Sequence, residues 1–290
     1  MKKQTKKTAA PKKTAKKTAK KTITTTVTTT VTTVKSETVV PNETHYLLIL
    51  DESGSMSSVK KETLDGLNEQ LQTIKNLDNK YPDQDYFVSI IKFDDKIVPL
   101  FENIPASEIR ELTEKDYTPD AMTALHDAIG ISVNGLKNRI SDKLKSGEAS
   151  AFVVILTDGH ENASKEYNSS KIKDIITELE KTNLWTFTFI GANQNAVLTA
   201  NNLGISSNNT VNYMASGIGT ELAFASLSSS FSKRAVYRSA GVFTNDSYLG
   251  DVVASSSNNI GEDASLLDLS GTVSDEDILK AQNALKNSKK

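Results

Sequence analysis

Two short stretches of the chain are apolar at almost every position. His45-Tyr46-Leu47-Leu48-Ile49-Leu50 lies between Pro41 and Asp51, and Ala151-Phe152-Val153-Val154-Ile155-Leu156 runs into Thr157-Asp158-Gly159. Runs of this length, bounded by turn-forming residues, predict strands covered on both faces, as in a parallel sheet. Between them Leu64, Leu67, Leu71, Ile74 and Leu77 fall three or four residues apart, which predicts a helix with one buried stripe. Tyr86 to Phe93 and Lys96 to Phe101 read as two strands joined at Asp94-Asp95, close enough to form an antiparallel hairpin. Leu125, Ile129, Val133, Leu136, Ile140 and Leu144 mark one long helix, and Ile172, Ile175, Ile176 and Leu179 stripe another. A further strand over 184–190, a short helix over 196–202, a short strand over 210–213 and a helix from about 220 to 237 complete the pattern. Alternation of this kind predicts an α/β fold: a doubly wound, mostly parallel sheet with helices on both faces and one antiparallel edge strand.

The ends of the chain do not follow this pattern. Residues 1–21 repeat Lys-Lys with Thr and Ala and have no apolar face, which predicts a disordered arm. Nine of the twelve residues from 22 to 33 are Thr, and this β-branched composition predicts an extended spacer, here taken over 22–43, ahead of a folded domain over 44–240. Residues 241–273 are rich in Ser, Asn, Gly and Asp and read as a linker. Ser274 and Asp277 then have capping-box spacing ahead of Ile278, Leu279 and Leu285, predicting a short terminal helix over 274–290.

Charge sharpens the division. The net charge of −2 hides eleven Lys and no acid in residues 1–35, which leaves 23 basic against 36 acidic residues downstream. An arm of this kind suits phosphate charge, in nucleic acid or another polyanion, or an acidic protein surface. The absence of Arg and aromatic residues from 1–21 argues against base readout or stacking. With no cysteine in the chain, disulfides, thiolate zinc sites and a thiol nucleophile are excluded. No apolar run approaches the roughly 18 residues of a membrane span, and the Lys-rich start lacks the apolar core of a secretory signal. The expectation is a cytoplasmic protein, in which the Asn-x-Ser/Thr triplets at Asn42, Asn162 and Asn168 carry no meaning.

In a doubly wound sheet, ligands bind beyond the carboxyl ends of the strands. Asp51 and Asp158 stand at two such ends, and Asp51-Glu52-Ser53-Gly54-Ser55 places a carboxylate and two hydroxyls at alternate positions. An oxygen-only set suits a hard divalent cation such as Mg²⁺. Two carboxylates and neutral hydroxyls leave that cation incompletely satisfied, the electrostatic condition for capturing an acidic group from another molecule. Taken alone, Asp-x-Ser-x-Ser is a weak signal in a Ser-rich chain, where such residues usually cap turns.

The context carries more. LLILDESGSM at 47–56, TALHDAI at 123–129, VVILTDGHEN at 153–162 and FIGAN at 189–193 together resemble the von Willebrand factor A domain family, in its bacterial and phage-type intracellular form, over roughly residues 44–238. The resemblance implies a Rossmann-like fold with a metal-ion-dependent adhesion site for Mg²⁺ or Mn²⁺. In it Ser53, Ser55 and Thr123 would contact the metal through hydroxyls and Asp51 and Asp158 mainly through water, with an Asp or Glu of a partner protein completing the shell. Two positions depart from the family pattern: Ala121 stands where many members have glycine, and His126 where an aromatic is usual.

The function expected is therefore a non-enzymatic, metal-dependent protein-binding module, with residues 1–21 available for nucleic acid or another polyanion. The alternative is a structural or nucleic-acid-associated protein of a phage or stress-response system, in which the arm dominates. A haloacid-dehalogenase-like phosphotransferase would need a second acid where Ser53 stands, and neither Ser53 nor Ser55 sits in a Gly-x-Ser-x-Gly elbow. His45, His126 and His160 are expected to be packing or surface residues, with His160 closest to the expected partner face. Trp185 and the aromatics of strands 86–93 and 184–190 are expected in the core.

Overall fold

The computed structural model describes residues 41–192, 196–214, 216–243, 249 and 274–287. The arm over 1–21, the spacer up to residue 40 and most of the linker over 241–273 lie outside the described residues. The rest folds around a six-stranded sheet: β1 (Glu43–Asp51), β2 (Asp85–Phe93), β3 (Ile97–Pro105), β4 (Ala149–Thr157), β5 (Trp185–Ala192) and β6 (Thr210–Tyr213). The strand order is β3-β2-β1-β4-β5-β6. All neighbours are parallel except β3, which pairs antiparallel with β2 at the edge.

Strands β1 and β4 lie at the centre, and both are buried at every position. Successive side chains alternate between the two faces. Tyr46, Leu48 and Leu50 pack with α1 (Lys60–Lys80) and α6 (Gly217–Ser239). On the opposite face Leu47 and Ile49 pack with α2 (Leu125–Arg139), α4 (Ser169–Glu180) and α5 (Ala196–Asn202). Of the expected aromatics, Tyr86, Phe93, Trp185, Phe187 and Phe189 are in these cores, with Trp185 stacked on Phe187 at 6.0 Å between ring centroids, whereas half-buried Phe87 lies outside both and stacks on His45. None of the described helices is long and apolar enough to cross a membrane.

Two elements differ from the sequence pattern. The helix expected through Leu144 breaks at Ile140 (φ −105°, ψ 17°), and a separate short helix α3 (Ser141–Ser146) ends at Gly147 in the left-handed conformation. The apolar stripe runs through the break because Ile140 stays buried, so periodicity alone did not reveal it. Strand β3 runs four residues beyond Phe101, past register shifts in its pairing with β2 opposite Val88 to Ile91 and past Asn103 at φ 55°. Such irregularities spoil the alternation by which a strand is recognised.

The terminal helix α7 (Asp275–Asn287) begins as its capping box predicts, with Ser274 Oγ accepting from Asp277 N at 3.2 Å and donating to Asp277 Oδ2 at 2.6 Å. It touches the end of α6, where Gln282 Nε2 donates to Ala240 O at 2.9 Å.

Helices α1 and α6 approach closely at Gly66. A Cβ there would lie 2.1 Å from Phe224 Cδ2, and Phe224 is fully buried and has no room to swing away. Gly66→Ala is therefore expected to destabilise the domain by about 1–3 kcal/mol through overpacking, although alanine is the better helix former by up to about 1 kcal/mol. Thermal melts of the variant alone and combined with Phe224→Leu check this, the second change restoring part of the loss.

Candidate functional site

Where β1 and β4 leave the sheet, the core gives way to polar side chains. Asp51, the last residue of β1, is fully buried. Its Oδ1 accepts from Ser53 N at 2.7 Å, and its Oδ2 accepts from Thr157 Oγ1, at the end of β4, at 2.5 Å. Ser53 occupies the cap position of the 3₁₀ segment Gly54–Val59, but its side chain makes no capping hydrogen bond. Its Oγ instead lies 3.2 Å from Ser55 Oγ, which donates to Asp158 Oδ1 at 2.5 Å. These hydroxyls are thus not used as ordinary turn caps.

Thr123 arrives from the loop before α2 and is held by its backbone. Its N–H donates to Asn162 Oδ1 at 2.9 Å, and its carbonyl accepts from Asn162 N and Ala163 N at 3.0 and 3.2 Å. Its hydroxyl faces Gly159, where a Cβ would lie 2.7 Å from Thr123 Oγ1 and 3.3 Å from Asp51 Oδ2. Only glycine leaves these two oxygens room to face one another. All five residues singled out from the sequence, Asp51, Ser53, Ser55, Thr123 and Asp158, therefore come together at the carboxyl ends of β1 and β4.

Several supporting residues were not singled out from the sequence. Glu52 points away from its neighbours Asp51 and Ser53 and pairs with Lys92 of β2 at 2.9 Å. The same Glu52 oxygen accepts from Thr118 N at 2.5 Å, and the Glu52 carbonyl accepts from Asp120 N at 2.8 Å. Tyr117 Oη donates to the Asp51 carbonyl at 2.7 Å. These bonds shape the loop that delivers Thr123. Asp127 anchors the other side, accepting from the backbone N–H groups of Lys165, Glu166 and Tyr167 at 2.7–2.9 Å. Ala121 adopts φ 60°, the left-handed conformation that glycine takes freely, and its carbonyl accepts from Gly54 N at 3.2 Å. The loop keeps a glycine-type geometry despite the alanine. The alternation of acid and hydroxyl was a readable signal for Asp51, Ser53 and Ser55, and the end of a second apolar run for Asp158, while Thr123 was indicated by the family resemblance; the partners of Glu52, Tyr117 and Asn162 are set only by tertiary contacts.

The histidines stand apart from this cluster. His45 is buried between Asn103 and Glu43 at 2.7 and 3.3 Å, and burial lowers its pKa. His126 lies 3.6 Å from Glu161, and His160 is exposed.

Burial raises the pKa of Asp51 against hydrogen bonds from Ser53 and Thr157, and the charge of Asp158 raises it further. Burial likewise raises that of Asp158 against the bond from Ser55. Among the described residues no Lys, Arg or His forms an ion pair with either acid. The site thus holds two carboxylates that no cationic side chain among the described residues balances. Among the described residues no three His, Asp or Glu side chains cluster to hold a metal, so a cation held here depends on hydroxyl oxygens. Two carboxylates and three convergent hydroxyls fit a hard divalent ion and do not fit a soft one.

The family model described as von Willebrand factor type A domain matches residues 47–223. Similar solved structures include proximal thread matrix protein 1 from the mussel byssus, 14% identical with a TM-score of 0.46, the match covering 66% of this chain and 47% of that one. The ArnB paralog VWA2 from Sulfolobus acidocaldarius is 19% identical with a TM-score of 0.43, over 66% and 45% of the two chains. The manganese-loaded TRAP protein of Plasmodium vivax is 14% identical with a TM-score of 0.40, over 61% and 70%. This chain spans about half the length of the mussel protein. No curated protein matches the sequence.

A pH dependence follows from the two raised carboxyls. Because the folded pKa lies above the unfolded value, ionising these groups costs stability, which falls as pH rises through that window and stays reduced above it. Asp158→Asn is expected to be more stable than the wild type at about pH 7 without divalent ions, with the difference gone near pH 4, where the unfolded carboxyl also protonates. Urea titrations at the two pH values in EDTA measure it.

Proposed function

The chain belongs to the von Willebrand factor type A domain family, and from that premise we propose that it is a non-catalytic module holding Mg²⁺ or Mn²⁺ and capturing an acidic side chain of a partner protein. The observation that carries this reading is the convergence of Asp51, Ser53, Ser55, Thr123 and Asp158 around two carboxylates without a cationic partner among the described residues. The ion, when bound, supplies a positive centre for an incoming carboxylate. Ser53, Ser55 and Thr123 provide neutral oxygens that leave that charge undiminished, while Asp51 and Asp158 provide the anionic side of the site. Thr157 orients Asp51, and Asn162 holds Thr123 in place. The partner's Asp or Glu completes the set. Among the described residues no His or Lys is hydrogen-bonded to Ser53 or Ser55 to activate either as a nucleophile, and the one carboxylate bonded to Ser55, Asp158, belongs to the cation site in this reading.

Divalent cation binding to the folded state alone is expected to add about 2.7 kcal/mol at a hundredfold excess over Kd. Thermal melts with Mg²⁺, with Mn²⁺ and with EDTA measure the shift, and Ser53→Ala and Ser55→Ala should each reduce it without unfolding the metal-free protein. Pull-downs of partner proteins should lose their captured species in EDTA. Identical melting in all three solutions, with calorimetry showing no binding, would remove the metal from the reading.

A second element of the proposal is polyanion attachment through residues 1–21, favoured by ten Lys and no acid within them. Since the remainder of the chain is acidic, binding to DNA or RNA would have to come from the arm. The logarithm of affinity is expected to fall against log[salt] by about 0.9 per phosphate neutralised on duplex DNA, equally for random and defined sequences. Filter binding across a salt series, comparing the full chain with residues 36–290, tests it. Equal binding by the two leaves the arm as a tail for an acidic protein surface or for solubility.

A further inference from the structure

The register of the sheet brings a sixth residue to the level of the site. Thr157 pairs with Gly191, and Ala192 pairs with Tyr213, the last residue of β6. Asp158 follows Thr157 directly, so it and Tyr213 stand at the same level two strands apart, with backbones about 10 Å from one another. Tyr213 and Val211 belong to the core cluster that includes Leu156, and Asp158 follows two residues beyond Leu156 on the loop leaving β4.

Tyr213 is 8% exposed, and its Oη is buried without a hydrogen-bond partner among the described residues. An unsatisfied buried hydroxyl is costly; Thr63, Ser132, Thr188, Thr220 and Ser229 are in the same state, so it is the level of Tyr213 with Asp158 that marks this one. The neighbouring phenol differs: Tyr117 Oη is engaged by the Asp51 carbonyl. Burial raises the pKa of Tyr213, and the carboxylates of Asp158 and Asp51 raise it further. The hydroxyl therefore keeps its proton within electrostatic reach of both acids, as a donor with no acceptor assigned.

We propose that Tyr213 is a positioning residue of the cation site, its hydroxyl donating to an outer-shell oxygen, either the Asp158 carboxylate or a water held between Asp158 and Asp51. This rests on the cation reading above. Tyr213 acts through the groups around the ion and does not ligate it, in the way that outer-shell donors orient metal ligands. The simpler account is a core tyrosine whose hydroxyl is incidental, and the two differ in what loss of the oxygen does.

Tyr213→Phe removes that oxygen, keeps the buried ring and leaves no partner unpaired, so the variant is expected to fold. The full chain is titrated with Mn²⁺ by calorimetry, and tyrosine near-ultraviolet difference spectra are recorded on adding Mg²⁺. Expected are a metal-free melting temperature equal to or above that of the wild type, Mn²⁺ affinity reduced about tenfold, and a metal-induced tyrosine difference band in the wild type that is lost in the variant. Equal Mn²⁺ affinity in the two proteins, or an unchanged difference band, overturns the role of Tyr213 while leaving the cation site in place. No Mn²⁺ binding by the wild type overturns the cation reading and this inference with it.

Discussion

The hydrogen bond from Thr157 to Asp51 joins the ends of the two central strands, and the arrangement of the site depends on it. Both strands are buried over their whole length, and β1 carries carboxylates only at its two ends, Glu43, which pairs with Lys143, and Asp51, because a charge between them would be stranded in an apolar core. At the carboxyl ends the polar groups of the site can gather. The parallel register brings those ends together, since β1 and β4 pair in step from Glu43 with Ala149 to Leu50 with Leu156. Thr157 spends its proton on Asp51 and accepts from Gly159 N at 3.1 Å, which directs the following loop back across the site. Gly159 then allows Thr123 to approach.

Around this junction neighbouring polar groups turn in different directions. Asp51, Ser53 and Ser55 turn toward β4 and Asp158, while Glu52 turns toward Lys92 and the 118–120 loop. The Glu52–Lys92 pair is buried, and removing either partner would leave the other uncompensated, a severe penalty in a protein interior. Asp51 and Asp158 have no such internal partner among the described residues, and burial works against their charge. This difference separates a scaffold carboxylate from acids that have no counter-charge among the described residues. Stability is given up at the site, consistent with a role other than holding the fold together.

Most of the fold was legible in the sequence because both kinds of element announce themselves locally. The continuous apolar runs of β1 and β4 and the stripes of α1 and α4 reflect burial that each segment must achieve for itself. The capping box at Ser274 and Asp277 is equally local. The break at Ile140 and the extension of β3 past Phe101 were not legible. In the first the apolar stripe continues through the break, and in the second an irregular register hides the alternation.

The site divides along the same line. By itself the sequence pointed to the five oxygen-bearing candidates, Asp51, Ser53 and Ser55 through alternation along a loop leaving a strand, Asp158 as the residue after a second apolar run and Thr123 through the family resemblance, and it determined the acidic character of the domain and the basic character of the arm. Their convergence is three-dimensional: 103 residues separate Ser55 from the Asp158 carboxylate it bonds. Only the tertiary structure decided that Asn162 clamps Thr123, that Tyr117 and Glu52 hold the intervening loop, and that Tyr213 stands level with Asp158. Each of these relations rests on strand register and loop packing between segments far apart in the chain, and a hydrogen bond between distant residues leaves no periodic trace in either one's local sequence.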